Sequence, residues 1–201
     1  NQKYKDVDDK ALLNKEGTAL TLYAGRNDAT EYTVPDGVVR VSTGAFSRAA
    51  NLEKVTLADT TINLLHAAFR DATKLKTVEN IDQLVSISNQ VFMRTGLEEF
   101  EIPAGITTIG NYVFDTSKLT DIHLHAGITS IGQEAYSDIP TLNCVVIDGT
   151  PTINYDAFRN SSALKYIIMT DSENVALLNK NTSYIPANAV IYAVSQEMEL
   201  K

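Results

Sequence analysis

Aromatic side chains recur along this chain at a nearly fixed step. Phe46, Phe69, Phe92, Phe114, Tyr136 and Phe158 are separated by 23, 23, 22, 22 and 22 residues. Three apolar series keep time with them. One is Leu52, Leu75, Leu97, Leu119, Leu142 and Leu164. A second lies three residues beyond, at Val55, Val78, Phe100, Ile122, Val145 and Ile167, and a third is Val41, Leu64, Ile87, Ile109, Ile131 and Ile153. Near the middle, "GITTIG" (105–110) returns as "GITSIG" (127–132). Self-similarity at such a period is the signature of coils stacked on one another. A single coil cannot recover the backbone entropy lost in ordering it, so each copy depends on faces shared with its neighbours.

Spacing within the unit assigns its parts. "LEKVTL" (52–57), "LTDIHL" (119–124) and "LKYIIM" (164–169) alternate apolar and polar residues, the period of a half-buried strand. Val55 and Leu57 then face inward while Lys54 and Thr56 face out. "VSTGAF", "IGNYVF" and "IGQEAY", which end on the aromatic, predict short turns or one-turn helices. Four residues before the aromatic stand Ser42, Leu65, Ser88, Gly110, Gly132 and Asn154, mostly capping or turning residues. Three residues after it stand Ala49, Ala72, Thr95, Ser117, Ile139 and Ser161, small enough in most copies to let coils lie close.

The ends depart from the repeat, as capping units should. "ALLNKEGTALTLYA" (11–24) predicts two short strands joined around "NKEG", a hairpin over the first coil. "EYTV" (31–34) precedes "KVTL" by 23 residues and joins the same series. "SENVALLNKNT" predicts a short helix from Ser172, and "AVIYAV" a last strand, with Ile191 lying 22 after Met169. The aromatic slot is lost at Lys180. The organisation expected is one domain over 1–201, with a capping hairpin over 1–30, repeats over 31–170 and a C-terminal cap over 171–201.

Charge narrows the function. A net charge of −8 offers no basic stripe for nucleic acid phosphates, and no apolar run approaches a membrane span. The lone Cys144 cannot form an internal disulfide, so packing alone must hold the fold. No phosphate-binding glycine loop, nucleophile elbow or HExxH motif is present.

The units resemble the BspA-like leucine-rich repeats, most fully at "VPDGVVRVSTGAF" (34–46) and "IPAGITTIGNYVF" (102–114). The opening and the closing "IPANAVIYAVSQEMELK" are similar to that family's ends, so the resemblance spans essentially the whole chain. It implies an α/β solenoid: a strand-rich, right-handed leucine-rich repeat superhelix with short helical turns. The family's usual Cys three after the aromatic is absent here. Its proline slot holds Pro35 and Pro103 but otherwise Ala58, His125 and Asp148. The resemblance also implies a protein exported to or exposed on the surface of anaerobic gut or oral bacteria, some members being linked to adhesion.

The strand face is therefore the candidate site. Its outward positions are Thr33, Lys54, Thr56, Thr77, Glu79, Glu99, Glu101, Asp121, His123, Cys144, Val146, Tyr166 and Ile168. Polarity along it is graded from mixed, through acidic, to apolar. An exposed apolar end marks a partner surface; the alternative is that the C-terminal cap folds over Val146 and Ile168. "DIHLHAG" places His123 and His125 on one side with Glu101 one coil back and Cys144 and Asp148 one coil on. These are zinc donor types, but their spacing matches no zinc signature, and His125 sits in the proline slot. His66 occupies a variable polar position and is expected to be solvated. "DVDD" (6–9) lacks the remaining ligands of a calcium loop and is expected to be a frayed end. The expectation is a non-enzymatic monomer without cofactor, binding a protein or glycan outside the cell. The alternatives are an inert spacer and, behind it, a metal-dependent enzyme built on His123 and His125.

Overall fold

The segments that alternate in the sequence form strands, and neighbouring copies pair in parallel. The computed structural model describes residues 3–7, 9–25, 29–154, 156–170, 185 and 189–193. The chain opens as an antiparallel meander of β1 (Tyr4–Val7), β2 (Ala11–Asn14) and β3 (Ala19–Tyr23). The expected hairpin is β2–β3. A third strand, β1, precedes it and takes up Asp6 of the acidic terminus. β3 then pairs in parallel with the first coil, Leu20 opposite Val41.

Most coils contribute two strands and a turn, giving three hydrogen-bonded ladders. The strand face consists of β4 (Glu31–Thr33), β6 (Lys54–Thr56) and β8 (Thr77–Glu79), then β11 (Asp121–Leu124), β13 (Cys144–Ile147), β15 (Tyr166–Met169) and β16 (Val190–Ala193). A second ladder of two-residue strands is β5 (Arg40–Val41), β7 (Asn63–Leu64) and β9 (Ser86–Ile87), then β10 (Thr108–Ile109), β12 (Ser130–Ile131) and β14 (Thr152–Ile153). The inner residue of each is a member of the Val41 series. Register follows the sequence offset: Tyr32 lies opposite Val55, and Val55 opposite Val78.

The last strand pairs differently from the expectation. Ile191 lies opposite Ile167, and Met169 opposite Ala193. The closing offset is therefore 24 residues, because the sheet aligns Ile with Ile inside and Tyr192 with Ile168 outside. The helix expected from Ser172 and the slot at Lys180 lie outside the described residues.

The third ladder runs through the turns that carry the aromatics, and here the expected one-turn helices are replaced. Among the described residues there is no helix. Two residues before the aromatic, Gly44, Ala67, Gln90, Tyr112, Glu134 and Asp156 have positive φ. Two residues after it, so do Arg48, Asp71, Arg94, Thr116, Asp138 and Asn160. A helix needs consecutive right-handed residues, so this alternation excludes one. It turns the N–H groups toward the next coil instead. Phe46, Phe69, Phe92, Phe114 and Tyr136 donate to the carbonyls of Ala68, Val91, Val113, Ala135 and Ala157 at 2.7–2.9 Å. The residues two positions further on repeat the pattern, from Arg48 to Arg70 through Asp138 to Arg159. Left-handed backbone costs a non-glycine residue about 1–2 kcal/mol, and these bonds to the neighbour offset it.

Inside the coils the aromatics form one column. Ring centroids are 4.9 Å apart for Phe46–Phe69 and 5.5 Å for Phe69–Phe92 and Phe92–Phe114. They are 5.2 Å for Phe114–Tyr136 and 5.8 Å for Tyr136–Phe158. All of these rings are fully buried. Tyr136 places a hydroxyl in this apolar stack, where it finds no hydrogen-bond partner and its pKa is driven far upward by burial. The repeated glycine also has its reason. A Cβ on Gly132 would stand 2.5 Å from the Gly110 backbone, so in these two copies the coils touch main chain to main chain.

The sheets are not continuous along the stack. Both strand ladders stop between the same two coils: β8 does not pair onward, and β9 and β10 belong to different sheets. Residues 99–101 take no strand conformation. Two sequence changes coincide here. The spacer from aromatic to leucine shortens by one residue, Phe92–Leu97 against Phe69–Leu75, and Phe100 stands where the other copies carry Val or Ile. The spacer lengthens again between Leu119 and Leu142, yet β11 and β13 pair there in full. The spacer therefore does not suffice. Phe100 inserts its ring against both Phe92 and Phe114, with centroids 5.0 and 5.3 Å away. A ring alone does not part the strands either, since Tyr32 fills the same slot in the first coil and β4 pairs with β6 in full. At Phe100 the ring and the shortened spacer coincide, and there the coils separate on the strand side while the turn ladder stays closed.

Candidate functional site

Outward side chains of the strand face divide into three zones. In the first, charges are paired. Lys54 Nζ lies 2.7 Å from Glu79 Oε1, and Thr56 Oγ1 donates to the same carboxylate at 3.3 Å. Glu79 is held below the usual carboxylate range by Lys54, and Lys54 is raised by Glu79. Lys76 reaches Glu53 at 3.8 Å. Thr33 and Thr77 stand exposed on the same face.

The middle zone is the opened rung. A cleft of about 460 Å³ is walled by Lys76, Thr77, Val78 and Ile81 on one coil and by Glu98, Glu99, Phe100 and Glu101 on the next. A second cleft of about 360 Å³ shares Glu101 and adds Asp82, Pro103, His123 and His125. Among the described residues, Glu98, Glu99, Glu101 and Asp82 have no ion pair. No backbone hydrogen bond joins residues 99–102 to β8 or β11. The sequence marked Glu99 and Glu101 as outward, but the clefts beside them follow from the wedge at Phe100.

The two histidines line one cleft but do not act as a pair. Exposed His123 Nε2 lies 2.6 Å from Asp148 Oδ2, whose other oxygen accepts from Thr170 Oγ1 at 3.0 Å. His125 lies beyond the end of β11. Its Nδ1 accepts the Gly127 N–H at 3.1 Å, so its Nε2 carries the proton and donates to the Pro103 carbonyl at 3.2 Å. Both ring nitrogens of His125 are thereby committed to backbone. Across the ladder His123 faces Val146, and Cys144 faces Asp121. No group of three or more His, Cys, Asp or Glu among the described residues is arranged to hold a metal ion. Cys144 is half-buried, and burial with the nearby Asp121 raises its thiol pKa, the opposite of an activated nucleophile. His66 is exposed, as expected.

The third zone is apolar. Val146 and Ile168 are half-buried, and Tyr166 is 41% exposed. Within the described residues the cap does not fold over them. β16 extends the sheet in its own plane and adds Tyr192, 49% exposed, and Val190, 47% exposed. The Tyr166 and Tyr192 rings lie 6.1 Å apart. Alternation about the inward Ile191 turns Val190 and Tyr192 outward.

On the turn edge the charges are mixed and paired: further along, Arg159 sits among Glu134, Asp138 and Asp156, while the earlier coils are rich in arginine. Asp71 sits among Arg48, Arg70 and Arg94. The hydrogen bond from Arg94 pulls the Asp71 carboxyl below its ordinary range. This cluster is internally paired and stitches successive turns together.

The model of the BspA-type leucine-rich repeat region matches six copies over residues 39–165. The chain belongs to this family. BspA-type coils account for the ladders described above, since the matched copies supply the paired strands and the aromatic turns. Among solved structures, the pneumococcal vaccine antigen PcpA is similar, with a TM-score of 0.75 at 19% identity over 97% of this chain and 48% of that one. A leucine-rich repeat protein of T. pallidum gives 0.67 at 20% identity, covering 93% of this chain and 95% of that one. One from Bacteroides ovatus gives 0.66 at 19% identity, covering 84% and 47%. This BspA-type chain thus spans about half the length of PcpA and of the Bacteroides protein. At such identities the likeness establishes the fold alone. No functionally curated protein matches the sequence.

Proposed function

We propose that this BspA-type solenoid is a non-enzymatic binding module at the bacterial surface, which presents its strand face to a protein or glycan. The observation that carries this reading is the face itself. It joins unpaired carboxylates at the opened rung to a stripe of exposed Tyr166, Val190 and Tyr192. Exposed apolar and aromatic area of this kind is costly in water unless a partner uses it. The family and its structural relatives, which include a vaccine antigen, support a surface location.

A glycan and host-protein array tests it, probed with the wild-type chain and with a variant carrying Glu99→Lys, Asp121→Lys and Tyr166→Ser. A hit on the wild type that the variant loses is the expected result. Silence on both arrays would favour the spacer reading.

A further inference from the structure

The opened rung has a chemistry that narrows the partner, granted the strand-face reading above. The larger cleft is lined by half-buried Ile81 and the buried Val78 and Phe100, with Glu98, Glu99 and Glu101 on one side and Lys76 and Thr77 on the other. One coil earlier the acids have their counter-ions within the chain, Glu79 with Lys54 and Glu53 with Lys76. At the rung itself Lys76 is turned to Glu53 and no described cation pairs with the three carboxylates, which the fold brings beside half-buried Ile81. Lysine and arginine are the side chains with that dual character. Their methylene stems cover apolar surface while the cationic head keeps to polar contacts, and a carboxylate is the strong acceptor for that head. A neutral sugar would leave the carboxylates uncompensated.

The backbone argues for an extended segment. Residues 99–102 make no hydrogen bond to either flanking strand, so their main-chain groups are open to a peptide running alongside.

We infer that the rung opened by Phe100 is the docking site for a protein partner presenting an extended basic segment, with a lysine or arginine stem lying on Ile81 and Phe100 and its head between Glu99 and Glu101. The smaller cleft takes a second basic side chain from the same segment, held by Glu101 and Asp82. The ring together with the shortened spacer makes the site: the first coil carries Tyr32 at this slot with an unshortened spacing and the others carry Val or Ile, and β4–β6, β6–β8 and β11–β13 are closed.

The test is fluorescence anisotropy with a labelled Lys-Val-Lys-Val-Lys peptide and its Glu-Val-Glu-Val-Glu counterpart. The full chain is compared with E99Q, E101Q, the double variant and F100V, each checked for an intact melting transition. The basic peptide binds the wild type and the acidic one does not. Each carboxamide weakens binding about threefold and the pair about tenfold, the size expected of part-exposed charge pairs. F100V keeps every charge and closes the cleft, so it also weakens binding at least tenfold. Equal binding by a folded F100V would overturn the inference in favour of simple charge attraction, as would displacement of the peptide by neutral oligosaccharides or indifference to E99Q/E101Q. If F100V fails to fold, the double variant decides. An array hit that E99Q/E101Q retains would remove this docking site and leave the strand-face reading standing.

Discussion

The turn edge and the strand edge of the solenoid are built by the same copies yet respond oppositely to the same irregularity. Between Phe92 and Phe114 the turn ladder passes without interruption, Phe92 donating to Val113 and Arg94 to Asp115 at 2.9 and 2.8 Å. Across the same two coils both strand ladders stop. The turn edge is fixed by a stacked aromatic column and by left-handed residues whose N–H groups can point only to the neighbour. The strand edge is held by short ladders of two to four residues, which an oversized side chain together with a shortened spacer can separate. Rigidity on one side and tolerance on the other are what let a repeat protein open a cleft without unfolding.

The sharpest way to break this comparison is to remove the rigid side. Phe92→Ala takes a ring out of the column and is expected to cost about 3–5 kcal/mol, read by urea unfolding. A loss near that of a surface substitution would mean that the column does not hold the turn edge. Gly132→Ala comes next. Its Cβ would meet the Gly110 backbone at 2.5 Å, so an overpacking cost of about 1–3 kcal/mol is expected, without any φ penalty. A neutral result would show that the coils can slide apart there as they do at Phe100.

Smaller effects sharpen the contrast. Tyr136→Phe deletes a buried hydroxyl with no hydrogen-bond partner and should stabilise by about 1 kcal/mol. Destabilisation would mean that the hydroxyl has a use in solution. Phe100→Val should leave overall stability within about 1.5 kcal/mol while the amides of residues 99–102 gain hydrogen-exchange protection. Unchanged exchange would remove the wedge as the cause of the break. Ala67→Gly relieves one left-handed residue, at φ 55°, and should gain a few tenths of a kcal/mol after the entropy that glycine loses. A large loss would show that the turn needs its Cβ, since Ala67 is buried.

Much of the fold was legible because periodicity is a burial code. The alternation in "LTDIHL" placed Ile122 and Leu124 inside and His123 outside, and the aromatic step placed six rings in one column. Short turns were expected and formed, but the one-turn helix alternative failed because Tyr112 within "IGNYVF" and Thr116 just beyond it are left-handed without being glycine. The cause is a hydrogen bond to the next coil, which no local propensity records. The two-residue strands were missed for a related reason: Ile109 and Ile131 are short β-branched signals that become strands only when a neighbour pairs with them. On the candidate face, exposure of Glu99, Glu101 and Tyr166 followed from parity alone. Parity about Ile191 turns Tyr192 outward as well, but its place opposite Ile168 depends on the 24-residue closing offset, which side-chain matching in the sheet sets.

By itself the sequence determined that this chain stacks, how often it coils and which side chains meet water, since period and parity follow from apolar residues needing cover. Tertiary structure alone decided where the stack fails to close. Phe100 is one more apolar residue in its series until its ring meets Phe92 and Phe114, and only then does its volume become a gap between strands.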